Sequence, residues 1–552
     1  MAKQALRQTQ WVSSAQTIAG RDHLAVQAVS EHLYADLLPG ITNVTDRARC
    51  YSFYPWFVWA FDQRSKKKNT EEVIRIFRRA ECLHTIIGIN HELEAKKELP
   101  HGGGLVGRDT LVAVAKKVFD GGTIQLSHFS SLDAESSDRY FKNKFGGLGQ
   151  YYLGPLKDLE VLDGDARTGI KYTKEWGATL AKLYNSTVET SKFFDAVRDD
   201  DIDRTIVQSL RSFCPCNLRN NGEERDALID LFLCRGRGEL KHAGGAERRR
   251  TLLLILDYAR RTRATTRRFA DPQGFLFGAY TRFLADDKPW IVDSHLEKTV
   301  EGWAIYQRHE LLAIAAQGVF WAGLTALGLD AGYVRDTAAY AKWFANYFQP
   351  SLSTYFNSRF DAIISQHQLI QPSLSEWQSA NHELSVANRL LEAQRHHDPQ
   401  AVVSLSAQIL TSLIARGCVE QPYGQFELAD RFLDTYEINL AALQRRATTT
   451  WSQMDGRQWV EWIAANWSLR VHLRVALRKL RYQTQDTFRV VPLEDGLYVR
   501  EAPAAKWSSP RLAQAFRFLH DLGALDESVD GAGAYLLTGF GEELLEAELD
   551  RA

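Results

Sequence analysis

The spacing of apolar and polar residues predicts helix along most of the chain. In TEEVIRIFRRAECLHTIIGINHELEAKK, beginning at Thr70, residues Val73, Ile74, Phe77 and Cys82 recur at helical spacing with charges on the opposite side. RRRTLLLILDYARRTRATTRRF predicts a helix with a buried first half. Its second half is basic, with Arg260, Arg261, Arg263, Arg267 and Arg268. SEWQSANHELSVANRLLEAQRHHDPQAVVSLSAQILTSLIARG predicts two helices joined near Asp398-Pro399. Residues 311–329, LLAIAAQGVFWAGLTALGL, carry no charge and have membrane-spanning length. Gln317, Thr325 and three glycines interrupt them, and Glu310 and Asp330 flank them without basic anchors. A buried helix pair is therefore expected, with no membrane contact.

The chain also resembles itself. Leu153–Leu183 parallels Phe516–Leu549, with Leu156, Asp158, Leu159, Leu162 and Asp163 in register with Leu519, Asp521, Leu522, Leu525 and Asp526. In each copy a glycine-containing gap and a short strand lead to a threonine, Thr173 or Thr538. A helix follows, marked by Gly177 and Leu180 or by Gly541 and Leu544. A helix, a two-stranded wing and a closing helix capped by Thr resemble a winged-helix domain. The predicted fold is mainly α and multidomain, helical domains with two winged-helix-like (α+β) modules. The expected regions are an N-terminal helical domain at 1–110, a winged-helix-like module at 111–195, a central helical region at 196–440, and a basic helix with a second module at 441–552.

Composition changes this picture little. Of 552 residues, 45% are hydrophobic and 24% charged, which suits globular domains and excludes wholesale disorder. The formal net charge is -1, so no overall field draws the protein to nucleic acid, and local patches must do so. The N-terminal MAKQALRQTQWVSSAQ lacks the apolar core of a signal peptide. The six cysteines have no secreted framework. A reducing cytoplasm is the expected location.

Basic residues are concentrated in three places. The first module offers Arg139, Lys142, Lys144 and Lys157, with Arg167 and Lys171 in its wing. The second offers Lys506, Arg511 and Arg517, but its wing is acidic at Glu527 and Asp530. Between them, WSLRVHLRVALRKLRYQTQDTFRVVP spaces Arg470, Arg474 and Arg478 four apart, with Arg481 three further on. Leu469, Leu473, Ala476, Leu477 and Leu480 are expected to fill the other side. Such a guanidinium ladder can track a phosphate backbone, and like charges stacked in this way repel unless an anion joins them.

Catalytic signals are weaker. Cys214, Cys216, Cys234 and His242 supply zinc-type ligands, but a single residue separates the first two, so buried thiols and no metal are expected. Asp230 with Glu239-x-Lys241 has the form of a magnesium-dependent nuclease site, yet glycines hem the triplet. Trp303, Tyr306, Gln307 and Glu310 share a helix face, and a carboxylate beside aromatics would suit a base-flipping enzyme. The catalytic candidates are accordingly Glu310, Tyr306 and Trp303, with Glu301 and His309 behind them. No phosphate loop, dinucleotide fingerprint or Gly-x-Ser-x-Gly elbow is present. No cofactor is expected, except magnesium if the protein is a nuclease.

The stretch LPGITNVTDRARCYSFYPWFVWAF, from Leu38, is followed by RRAECLHTIIG and GGGLVGRDTL. Pro39, Gly40, Thr42, Thr45, Arg47, Ala48, Arg49, Phe53, Pro55 and Trp56 resemble the PG…T…RAR(Y/C)…F…PW signature of a prokaryotic defence-island family. The resemblance spans about the first 110 residues. It implies a phage-defence setting with DNA nearby, and carries over no catalytic residue. On chemistry alone, Asn43 or Thr45 should cap a helix starting near Asp46, and Pro55 should kink or restart it. Tyr51, Phe53, Trp56, Phe57 and Trp59 read as core. Arg47 and Arg49 lie two apart, so one is expected to pair internally, with Asp36 or Asp62, leaving the other for phosphate. The leading expectation is a protein that binds duplex DNA, chiefly phage DNA, as part of an antiphage or restriction-type system. Alternatives are a DNA glycosylase or nuclease, or a scaffold that binds defence proteins.

Overall fold

The computed structural model describes residues 22–64, 70–95, 101–133, 135–165, 169–235, 244–264, 269–284, 286–329, 334–367, 381–419, 436–483, 485–528 and 533–551, with the strand Gln16–Thr17. The chain is mainly helical, and its strands pair two by two. It divides into two units. One comprises 1–33 and 305–508, the other 34–304 and 509–552.

In the second unit the aromatic run forms the central helix Cys50–Arg64. The helix begins later than capping chemistry suggests, because Thr45 is used in a turn: its hydroxyl accepts from Thr42 N at 2.9 Å. Pro55 therefore falls within the first two turns of the helix and does not end it. Phe53 stacks on His84 at 4.0 Å, and Trp56 packs on Phe213 and Tyr184, each at 5.2 Å. Tyr51, Phe53, Trp56 and Phe57 are buried as expected, whereas Trp59 is half-exposed. Helix Thr70–Glu94 packs beside Arg108–Phe119.

The internal resemblance is structural. In the first copy, helix Leu153–Asp158 leads to antiparallel strands Leu162–Asp163 and Lys171–Tyr172, then helix Trp176–Asn185. In the second, Leu512–Asp521 leads to Leu525–Glu527 and Tyr535–Leu537, then Gly539–Leu549. The first helix of each ends on a left-handed residue, Glu160 at φ 52° and Gly523 at φ 81°. Thr173 Oγ1 accepts from Gly177 N, and Thr538 Oγ1 from Gly541 N, both at 2.9 Å. Each hydroxyl also donates back to the carbonyl of that left-handed residue, Glu160 at 2.6 Å and Gly523 at 2.8 Å. The two copies thus share a capping device as well as an element order.

Residues 311–329 belong to one helix, Glu297–Leu329, and not to a helix pair. Length and composition alone would let it cross a membrane, yet 83% of its most apolar window is buried inside the protein. Its glycines do not break it. At Gly323 a Cβ would collide with the Tyr340 hydroxyl, so glycine here lets a neighbouring helix approach. In the first unit, helices Glu383–Arg395 and Pro399–Val419 meet at Asp398-Pro399, where the Asp398 carboxylate accepts from Ala401 N at 3.0 Å. Trp451, Trp459, Trp462 and Trp467 cluster, the last of them from within the π-helical turn Ile463–Arg470. Helix Val471–Gln483 continues from that turn.

Candidate nucleic-acid surface and histidine–cysteine centre

Helix Val471–Gln483 and the residue before it carry the arginine row. Arg470, Arg474, Arg478 and Arg481 are all exposed. From Arg470 to Arg478 the row spans about 12 Å of helix axis. Arg474 pairs with Glu437 at 2.7 Å, both side chains being substantially exposed. Arg470 donates to Asn466 Oδ1 at 3.0 Å, and Arg481 lies over the Tyr482 ring. Arg478 makes no ion pair among the described residues. Leu477, expected on the buried side, is 57% exposed, because seven residues after Arg470 is almost the same helical direction. The buried face is Val471, His472, Val475 and Ala476.

Around the first helix–hairpin–helix copy, Lys142, Lys144 and Lys157 are exposed and form no ion pair among the described residues. Arg167 lies outside those residues, as does Asp530 in the second copy. In that copy, Arg517 pairs with Asp46 at 2.9 Å, and Arg511 lies over the Tyr34 ring. Arg260 and Arg261 share Asp257, and Arg263 pairs with Glu542. Arg267 and Arg268 lie outside the described residues.

Arg47 and Arg49 depart from expectation. Neither pairs with Asp36 or Asp62, and neither is left for phosphate. Arg47 forks onto Asp521 at 2.9 and 3.0 Å and donates to the carbonyls of His101 at 3.1 Å and Gly103 at 3.3 Å. Arg49 pairs with Glu224 at 3.2 Å and donates to the carbonyls of Ser212 at 2.6 Å and Cys214 at 2.7 Å. Two residues apart at the entry to helix Cys50–Arg64, the side chains diverge, so each secures a different backbone segment.

Those segments carry the most concentrated metal-ligand chemistry among the described residues. His91 comes from the last turn of helix Thr70–Glu94, His101 from the turn that Arg47 holds, and Cys214 and Cys216 from the turn that Arg49 holds. Their ligand atoms all lie within 4.8 Å of one another. Cys216 Sγ stands 3.4 Å from Cys214 Sγ and 3.3 Å from His91 Nδ1. Cys214 Sγ is 3.8 Å from His101 Nδ1. Both histidines and Cys214 are buried, and Cys216 is half-buried. Hydrogen bonding from Cys214, then from the two histidines, holds the Cys216 thiol far below its usual range, while burial pushes the Cys214 thiol up. Arg211 Nε donates to His91 Nε2 at 2.7 Å.

His101 and Cys216 also line a cavity of about 230 Å³ with Arg47, Arg108, Arg219 and His520. Each of these arginines has a carboxylate: Asp521 for Arg47, Glu92 for Arg108 and Asp526 for Arg219, at 2.7–2.9 Å. The charges of the cavity wall are therefore close to balanced.

The sequence-local ligand set does not assemble. Cys234 turns instead to Arg248 Nη2 at 3.6 Å, and His242 lies outside the described residues. His91 and His101 are candidate ligands that the sequence-local set does not contain. They sit 125 and 113 positions from their cysteine neighbours, and only the short Cys-Pro-Cys spacing hinted at a shared centre. Of the nuclease-type residues, Asp230 pairs with Arg235 at 3.5 Å, while Glu239 and Lys241 lie outside the described residues.

The base-flipping candidates are core. Glu310 is 2% exposed, accepting from Ser30 Oγ at 2.5 Å and Ser508 N at 2.6 Å, and burial raises its pKa. Tyr306 bonds Ser508 Oγ at 2.9 Å, and Trp303 Nε1 donates to Thr251 Oγ1 at 3.2 Å. His309 is buried beside Ser30, and Glu301 is exposed. The cavities of about 230 and 190 Å³ are lined by other residues. Comparison with protein-family models, with curated proteins and with solved structures gives no match.

Proposed function

We propose that this protein binds duplex DNA, with phage DNA as the natural ligand in a prokaryotic defence setting, and that its two helix–hairpin–helix copies act as winged helices. The observation that carries the reading is the exposed row Arg470, Arg474, Arg478 and Arg481, opposed among the described residues by a single carboxylate, Glu437. A surface ion pair of this kind contributes little, so phosphate displaces Glu437 readily. Three guanidinium groups over about 12 Å of helix axis, or four over about 16 Å, match a run of backbone phosphates, and binding driven by them falls steeply with salt. Lys142, Lys144 and Lys157 would add backbone contacts to the first copy.

The test is fluorescence anisotropy with labelled duplexes at low salt, followed by incubation with phage and host DNA, with and without magnesium, then alkali. Binding that leaves DNA intact in every lane is the expected result. Absence of binding at low salt sinks the proposal. Metal-dependent cuts would replace it with a nuclease. Breaks that appear only after alkali would replace it with a glycosylase.

A further inference from the structure

We infer that His91, His101, Cys214 and Cys216 form a four-ligand zinc site. The inference is independent of DNA binding. Two thiolates and two imidazoles are a soft, borderline donor set that favours zinc in tetrahedral geometry. With Zn–S near 2.3 Å and Zn–N near 2.05 Å, a tetrahedron needs edges of about 3.8 Å between sulfurs and about 3.5 Å between sulfur and nitrogen. The corresponding separations here are 3.4 Å for sulfur–sulfur, and 3.3 and 3.8 Å for sulfur–nitrogen. These three edges need shifts of a few tenths of an ångström, and the remaining pairs, all within 4.8 Å, close by on the order of an ångström at most to complete the shell. Two thiolates neutralise the ion, and the arginines around it have carboxylates of their own: Asp521 for Arg47, Glu224 for Arg49 and, at 4.0 Å, Glu94 for Arg211.

The surroundings are those of a supported site. Arg47 fixes the carbonyl of His101 and Arg49 that of Cys214, so the signature arginines position two of the four ligands. Glu92 holds Gly102 N at 3.0 Å and so secures the turn that carries His101. With four protein ligands the coordination shell is closed, and the site is structural. It ties helix Thr70–Glu94, the His101 turn and the cysteine turn together. One contact has to change. Nδ1 of His91 faces the sulfurs, so metal there requires the proton on Nε2, where Arg211 now donates. The Arg211 side chain is 60% exposed and can swing away.

The experiment is elemental analysis of protein purified under reducing conditions and supplemented with zinc. It is followed by a thiol-blocking mercurial, with a chromogenic dye reporting released zinc, and by cobalt substitution read by absorption. The expected result is one zinc per chain, released as its thiols are blocked, and the intense visible bands of tetrahedral cobalt with thiolate charge transfer. Cys216→Ser and His101→Gln should lose at least tenfold in zinc affinity, whereas Cys234→Ser retains the metal. Arg211→Ala should bind at least as tightly as wild type. Zinc well below one per chain, a Cys214–Cys216 disulfide in fresh protein, or folded ligand variants with wild-type affinity would overturn the site. If the ligand variants fail to fold, the wild-type release and cobalt spectra decide.

Discussion

Replacing Glu224 with Gln removes the counter-ion of Arg49 while leaving its shape. The Arg49 side chain is 1% exposed and that of Glu224 is fully buried, so water cannot take the carboxylate's place. Breaking a buried pair from one side costs about 3–5 kcal/mol. Arg49 keeps the carbonyls of Ser212 and Cys214 and the Thr187 hydroxyl, and the new amide oxygen accepts one bond. The cost should therefore lie near the lower end, about 3 kcal/mol. For a unit of roughly 300 residues, an unfolding entropy of about 2.1 cal/mol/K per residue gives about 0.6 kcal/mol per degree. A drop of about 5 °C follows, read by circular dichroism melting and checked by the urea midpoint. The control is Arg198→Ala, whose partner is Asp195. Those two side chains are 72% and 57% exposed, so this change should move the melt by less than about 1 °C. If Glu224→Gln melts within about 1 °C of wild type, the buried pair does not hold the cysteine turn, and the reasoning about the signature arginines fails.

Two further stability outcomes follow from the geometry. Gly177→Ala and Gly541→Ala should each cost about 1–3 kcal/mol in urea unfolding, since the new Cβ meets the carbonyl of Val161 or Ala524, while Gly539→Ala, which meets nothing within 4 Å, should be near neutral. Equal tolerance at all three would break the correspondence between the copies. Burial, then the neighbouring Arg49, lowers the His84 pKa to about 3. The unfolded chain thus takes this proton first, so the contribution is complete above pH 6.5 and declines as pH falls toward 3. Wild type should therefore lose up to about 1 kcal/mol per pH unit relative to His84→Gln over that window, measured by urea midpoints at pH 7, 6 and 5. Parallel pH profiles would contradict this.

What could be read from the sequence was local. The joint at Asp398-Pro399, the Thr538 cap and the duplicated Leu-x-x-Leu helix ends all rest on contacts within a few residues, where spacing is informative. Helix Glu297–Leu329 was misjudged because glycine spacing looks the same whether a helix breaks or packs tightly. Leu477 stands out from the other apolar residues of its helix because its seven-residue offset from Arg470 puts it among the arginines, a position that spacing alone makes legible. The pairs Arg47–Asp521 and Arg49–Glu224 join residues 474 and 175 positions apart, and nothing local names such partners. The histidine–cysteine centre fell to the same limit. Its two halves come from distant segments, and within the sequence neighbourhood of Cys214 and Cys216 only Cys234 and His242 are available, a set whose spacing argues for buried thiols and against a metal.

The most direct test of DNA binding is the salt dependence of affinity for an unmodified duplex, comparing wild type with the Arg474→Ala/Arg478→Ala protein. In wild type, log K should fall steeply and linearly with log salt. In the double variant the slope should be shallower by about two, since each lost phosphate contact removes about 0.9. Identical slopes and affinities, in a variant that melts like wild type, would contradict it.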